Sequence, residues 1–274
     1  IDDKILTSWN ALMFKAFAEA GASFENPVWI DIAEKNTRFL LSVMNDREGR
    51  LLHSYKTADN SSSETSDGPR ILGYLDDHAY FIDGLITLYE STFDYFYIEA
   101  AQNLADHMIR RFWDQESEVF YDTSLEHSKL IVRPRDILDN AVPSGGSIAA
   151  LSLLRLSSLT AESCYASKAE SSIKSLVPQM RRAPLLVTSW IIATDFLKTD
   201  SNQIVLLGNP GDPLLTEMLC EVRSRYLPNL VLAGARHHDP NDEKSPLLHG
   251  KAMLNGKPTA YVCKDYICNL PVSS

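Results

Sequence analysis

Two adjacent carboxylates followed by an imidazole, Asp76-Asp77-His78, form the most enzyme-like run in this sequence of 274 residues. Carboxylates in unlike environments can divide acid and base work between them. The plainer reading is helix capping, because acids in a first turn are stabilised by the helix dipole; it is the stronger expectation for at least one of the two. Neighbouring helical residues point roughly 100° apart, so the pair is not expected to act as a dyad. A glycoside-cleaving site would join one of them to a remote carboxylate, Asp3 or Asp139, and the separation would decide inversion or retention. Trp9, Tyr74 and Tyr80 could stack on a sugar ring, with Asn10 and Asn140 bonding its hydroxyls, although aromatics at helical spacing more often belong to a core. Trp9 is favoured because it sits at a helix start, outside the apolar stripe.

These residues recur at one interval. Ser8-Trp9-Asn10, Leu75-Asp76-Asp77 and Val142-Pro143-Ser144 each open a helix-like run, and the steps from Trp9 to Asp76 and from Asp76 to Pro143 are both 67 residues. A second helix-like segment follows each run, and in the first two cases a short aromatic, strand-like stretch, so the unit reads as a helical hairpin with an excursion. A ring of such hairpins gathers the starts of its inner helices at one mouth, where Trp9, Asp76, Ser144 and their neighbours would sit. That mouth is the expected pocket.

Leu12, Met13, Ala16, Phe17 and Ala20 set a helical period over 7–20, with Gly21 as its stop. A partner helix is expected over 28–44, a strand or hairpin over 49–56 and a loop over 60–68. The second unit carries Tyr80, Phe81, Leu85, Leu88 and Tyr89 in helical register, then a helix over 93–112 and a strand-like echo at Val119-Phe120-Tyr121-Asp122. In the third, Ser147 is expected to cap a run over 148–159, with a partner over 162–180. Pro184 suits the first turn of a further helix ending at Leu197, which makes about seven helices. The pattern then changes to strand (203–208), helix (212–226) and strand (229–234), for which parallel pairing through a right-handed crossover is favoured; 259–263 supplies a third strand.

The composition, 45% hydrophobic and 23% charged, is that of a globular chain. A net charge of −10 argues against nucleic acid or an anionic membrane as the main partner. Arg181-Arg182 and Arg133/Arg135 are local exceptions; Arg133-Pro134-Arg135 could hold a carboxylate or phosphate, with surface salt bridging the plainer reading. No apolar run approaches the roughly 20 residues of a membrane span, and Ile1-Asp2-Asp3-Lys4 is not a signal peptide, which leaves localisation unknown. The chain lacks an initiating Met and opens on a helix lead-in, so it reads as a piece of a longer protein. Gly145-Gly146 and Gly208-Asn209-Pro210-Gly211-Asp212 lack a full phosphate-loop pattern, and no cofactor is expected. Cys164 and Cys220 are expected as small buried groups. Cys263 and Cys268, with His237, His238 and His249 upstream, form the one metal-like set; free thiols are favoured over a disulfide or zinc, because residues five apart in a strand face opposite sides unless a turn intervenes. No metal site is assigned.

Asp2 to Met13, Tyr74 to Tyr80, Pro143 to Ser147, Ser152 to Leu156 and Ala260 to Pro271, taken in order, resemble the spermatogenesis-associated protein 20 family over nearly the whole chain. The sequence departs from that pattern at Gly146 and Ser152, where Asn is more usual, which bears on any polar contact made there. The resemblance implies an N-terminal thioredoxin-like domain, not contained in this chain, joined to a toroid of helical hairpins similar to six-hairpin glycosidases and N-acylglucosamine 2-epimerases. The expected fold is therefore mainly α: a partial (α/α) toroid of helical hairpins over 1–200, with a small C-terminal α/β appendage over 201–274. The expected function is a carbohydrate-related pocket, glycosidase- or epimerase-like, with a carbohydrate or small-molecule ligand. Only His78 offers the pocket base that an epimerase of this architecture would want, which ranks epimerisation below hydrolysis or binding. The alternative is a non-catalytic scaffold or redox-assisting module that presents clients to the thioredoxin-like domain; the sequence does not decide whether the chain is an enzyme. Helix faces that further hairpins would cover predict dimers or aggregates of the chain alone.

Overall fold

The computed structural model describes residues 4–46, 48–56, 71–127, 131–199, 202–235 and 245–273. Asp3, His237, His238 and the expected 60–68 loop lie outside these residues. Three helical hairpins succeed one another: α1 (Thr7–Ser23) with α2 (Pro27–Val43), α3 (Leu75–Thr92) with α4 (Phe96–Phe112), and α5 (Gly145–Thr160) with α6 (Ser163–Arg182). The inner helices α1, α3 and α5 stand in a row with α3 central, and α7 (Thr188–Lys198), entered through a 3-10 turn at Pro184–Leu186, continues the row beyond α5. Each repeat is one hairpin plus its excursion, and four inner helices side by side form part of a ring.

Packing explains why α3 carries apolar residues all round: it touches α1, α4 and α5, and its buried set runs almost unbroken from Asp77 to Tyr89. Gly84 admits the Phe14 ring of α1, since a Cβ there would lie 2.3 Å from that ring, and Phe14 meets Phe81 edge-on at 5.5 Å. The outer helices bury one stripe each, such as Ala33, Thr37 and Leu40 of α2.

The excursions form two small antiparallel pairs. β1 (Ile5–Leu6) pairs with β2 (Ser54–Tyr55), so the lead-in to α1 is a strand, and β3 (Trp113–Asp114) pairs with β4 (Val119–Phe120). In the appendage, β5 (Asn202–Leu207) and β6 (Leu230–Gly234) are parallel and joined through α8 (Pro213–Arg223), as expected. β7 (Thr259–Lys264) adds antiparallel to the other edge of β5 and turns back into β8 (Ile267–Cys268). Val205, Leu207, Val231 and Ala233 join the same hydrophobic core as the helices.

Several sequence expectations need correction. Gly21 does not stop α1, which continues to Ser23; its missing side chain instead lets α2 approach, because a Cβ would meet Ile30 at 2.7 Å. Ser144, not Ser147, caps α5, and Ser147 turns its hydroxyl back to the Ser144 carbonyl at 2.8 Å. Phe93 lies outside α4 as the left-handed C-cap of α3 (φ 56°). Cys263 and Cys268 form a disulfide, because a turn does intervene: Asp265 and Tyr266, at φ 47° and 65°, fold β8 back so that the two cysteines face each other across the hairpin. Cys164 is exposed and Cys220 half-buried, the latter on α8, which buries none of its residues fully.

Candidate functional site

The starts of the inner helices leave backbone N–H groups without intrahelical partners, and two carboxylates collect them. Asp77 Oδ1 accepts from the Ser8 N–H of α1 at 2.9 Å, while Oδ2 accepts from the Tyr74 N–H at 2.9 Å and contacts His53 Nδ1 at 2.8 Å. Asp77 is 0% exposed and ties two helix starts to the excursion that carries His53. Asp139 does the same one step along the row, with Oδ1 accepting from the Ser144 N–H at 3.0 Å and Oδ2 from the Ser189 N–H of α7 at 2.7 Å. The two halves meet at Gly145, where a Cβ would stand 3.0 Å from the Asp76 nitrogen, so the first turns of α3 and α5 touch backbone to backbone. The helix starts separated by 67 residues in sequence thus form one polar surface.

Asp76 is half-buried on this surface. Its Oδ1 accepts from the Asp77 N–H at 2.9 Å, and Oδ2 makes no hydrogen bond among the described residues. Burial, reinforced by the negative charges of Asp77 and Asp122, raises its carboxyl from 3.8 to about 6, although His53 pulls the other way. Such a carboxyl can carry a proton at mildly acidic pH and release it near neutrality.

The other predicted residues divide between surface and core. Trp9 is 68% exposed at the start of α1. Tyr74 is half-buried, stacked on His127 with centroids 4.9 Å apart and edge-on to His53 at 5.1 Å. Asn140 is exposed, while Ser144 is buried with its Oγ accepting from the Ser147 N–H at 3.3 Å. Asn10 turns toward α2: its Nδ2 donates to the Leu6 carbonyl at 2.8 Å and its Oδ1 accepts from Asn36 at 3.1 Å. Tyr80 is buried and donates its hydroxyl to the Pro143 carbonyl; burial, then the charges of Asp76 and Asp139, raise its pKa. His78 lies in the core beside Phe112, with Nδ1 donating to the Tyr74 carbonyl at 2.9 Å and Nε2 without a partner among the described residues. Burial lowers it to about 4, so it is neutral at ordinary pH and points its chemistry inward.

Sequence reasoning passed over His53 and Asp122. The hydrogen bond to Asp77 raises the pKa of His53, which remains 25% exposed beside Asp76. Burial raises Asp122, whose Oδ2 accepts from the Asp136 N–H at 2.6 Å and whose carbonyl accepts from the Leu75 N–H at 3.0 Å. Both belong to excursions, recognised as strands from their pattern while their polar side chains went unweighed. Arg133 closes the C-terminal end of α4, donating to the carbonyls of Thr123 (2.7 Å) and Arg111 (3.2 Å) while lying over the Tyr121 ring, and Arg135 donates to Ser175 at 2.8 Å. Among the described residues no cluster of His, Cys, Asp or Glu could hold a metal ion.

The whole chain aligns with human spermatogenesis-associated protein 20 at 31% identity over 278 residues, and with an uncharacterised protein of Caenorhabditis elegans at 26% over 275 residues. It spans 35% of the human protein's length and 37% of the nematode one's. No protein-family model matches the chain. Among solved structures, a GH76 α-mannanase of Bacteroides thetaiotaomicron superposes at a TM-score of 0.55 and 16% identity, over 87% of this chain and 64% of that one. A family 105 glycoside hydrolase of C. acetobutylicum superposes at 0.51, also at 16% identity, over 64% of this chain and 49% of that one. These likenesses are of fold.

Proposed function

Because the chain belongs to the spermatogenesis-associated protein 20 family and has the fold of helical-toroid glycosidases, we propose that its row of helix starts is a carbohydrate-binding mouth in which Asp76 is the proton donor. The observation that carries this reading is the Asp76 carboxyl, raised to about 6 with Oδ2 uncommitted among the described residues, at the junction of α3 and α5. Trp9 is the stacking platform for a sugar ring, Tyr74 and Asn140 form the rim, and Ser144 acts beneath it as the cap of α5. Asp77 and Asp139 act by positioning, since their oxygens already hold helix-start N–H groups. Asp122 is then a better second carboxylate than Asp139: its pKa is raised and its charge acts on Asp76. Hydrolysis is preferred over epimerisation, because His78 is buried away from the mouth and only weakly basic, and His53, the imidazole beside Asp76, already engages Asp77 through Nδ1. In the longer relatives, the remaining length would bring a thioredoxin-like domain beside this toroid.

The test is a glycan array followed by hydrolysis assays on α-mannosides, after the α-mannanase neighbour, and on whichever glycans the array retains, run with both this chain and a full-length relative. Binding lost on Trp9→Ala and turnover lost on Asp76→Asn are expected; no glycan binding by either protein would end the proposal. A second reading, a binding or scaffold module without turnover, draws on the engagement of Asp77 and Asp139 with backbone N–H groups. It predicts glycan or client binding that Asp76→Asn leaves intact.

A further inference from the structure

At the ends of α1 and α3 remote from the mouth, their last turns meet α8 and β6 around a cavity of about 210 Å³. Drug-sized sites occupy roughly 300–1,000 Å³, so this one suits a small metabolite. Below it runs a buried chain of charges: Lys15 to Asp83 at 2.8 Å, Asp83 to Arg155, and Arg155 to Glu90 at 2.7 Å. Two cations and two anions offset one another there, as buried charges must. The cavity's other acid, Glu19, pairs with Lys15 at 3.6 Å, and Arg225 pairs with Glu221 at 2.8 Å.

Arg223 stands apart. Half-buried in the cavity wall, it makes one hydrogen bond among the described residues, from Nη2 to the Glu90 carbonyl at 3.3 Å, and no ion pair. A guanidinium presents five N–H donors in a planar fork that matches a carboxylate. Burial already lowers its pKa, a cost that a bound anion would offset. Across the cavity, the Ser91 hydroxyl donates to the Thr87 carbonyl and keeps lone pairs to accept from a ligand, while the Thr87 hydroxyl donates to the Asp83 carbonyl and accepts from Arg155 at 3.5 Å, which leaves it one lone pair. Glu90 offers a carboxylate acceptor, while Val222, Leu230 and Leu232 supply an apolar wall.

We propose that this cavity binds a small hydroxycarboxylate, its carboxylate gripped by Arg223 and its hydroxyls received by Thr87, Ser91 and Glu90. The site is separate from the mouth and does not depend on the carbohydrate reading. Isothermal titration with D-gluconate, with D-glucose as the uncharged control, tests it on wild type, Arg223→Met, Arg223→Lys and Asp76→Asn. Losing a charge-assisted pair is expected to weaken gluconate about tenfold or more in Arg223→Met. Arg223→Lys, which keeps the charge and removes the fork, should fall between, and glucose should bind at least about tenfold more weakly than gluconate. Asp76→Asn should bind gluconate as wild type does. Gluconate binding that is missing from the wild type, unchanged in Arg223→Met, or abolished by Asp76→Asn would overturn the proposal. Glycan binding retained by a correctly folded Arg223→Lys would separate failure here from failure at the mouth.

Discussion

Both oxygens of Asp77 receive N–H donors, so in Asp77→Asn the new amide must turn a donor toward at least one of them inside the core. Leaving buried donors unsatisfied should cost about 3 kcal/mol, read as a lower urea midpoint at unchanged m-value. Asp76→Asn should behave oppositely. Its Oδ1 can still accept the Asp77 N–H, while the charge that burial disfavours is removed. A carboxyl raised from 3.8 to about 6 stays protonated in the folded chain after the unfolded chain has ionised. Stability therefore falls as pH rises between those values, and the penalty is complete above about 6. Asp76→Asn should then melt above wild type at pH 8 and level with it at pH 3.5; destabilisation at pH 8 would refute the assignment of strain to this group. That one acid of the pair caps its helix is legible from local sequence, because a first-turn carboxylate meets the same N–H groups wherever a helix begins. Which acid it is depends on Ser8 and His53, contributed by other elements, and no local pattern carries that information.

At the level of elements, the contact between α3 and α5 is set by Gly145. Gly145→Ala places a methyl carbon 3.0 Å from the Asp76 nitrogen, and overpacking of this kind should cost about 1–3 kcal/mol. The α5 start would also be pushed off Asp76, so any glycan binding should weaken along with stability; a variant of unchanged melting temperature would show the two first turns to be less tightly apposed than described. The hairpins were readable because their apolar periods are long and each inner helix repeats at 67 residues. Their limits were less so, as Gly21 shows: a glycine within a helical run can mark a close approach by another helix, here Ile30 of α2, as readily as a stop. Ser144 and Ser147 were equally good caps by residue type, and the choice fell to Asp139, which fixes the Ser144 N–H. The Cys263–Cys268 bridge was hidden because it required two successive residues in left-handed backbone, which Asp265 tolerates but which Tyr266, in place of the usual glycine, does not signal.

Across the molecule, the row of inner helices leaves apolar side chains exposed at two ends among the described residues. One carries Leu185, 87% exposed, with Leu186 and Ile192 around the entry to α7; the other carries Phe24, Val28 and Ile32 on the first hairpin. Apolar surface gathered in this way favours association, so light scattering on this chain should show a mass that rises with concentration. Leu185→Glu with Ile192→Lys should lower it, and a monomer over the whole range would contradict the expectation. That the starts of α1, α3 and α5 adjoin follows from the repeat alone, since equal steps around a stack of hairpins return the chain to the same level. Proton chemistry at that surface is a matter of charge and burial, which the repeat does not encode. The direct measurement is a ¹³C NMR titration of the Asp76 side-chain carboxyl, with and without the glycan that binds best on the array. A midpoint near 6 that moves when glycan is added is predicted; a midpoint near the ordinary 3.8 that no glycan shifts would contradict the account.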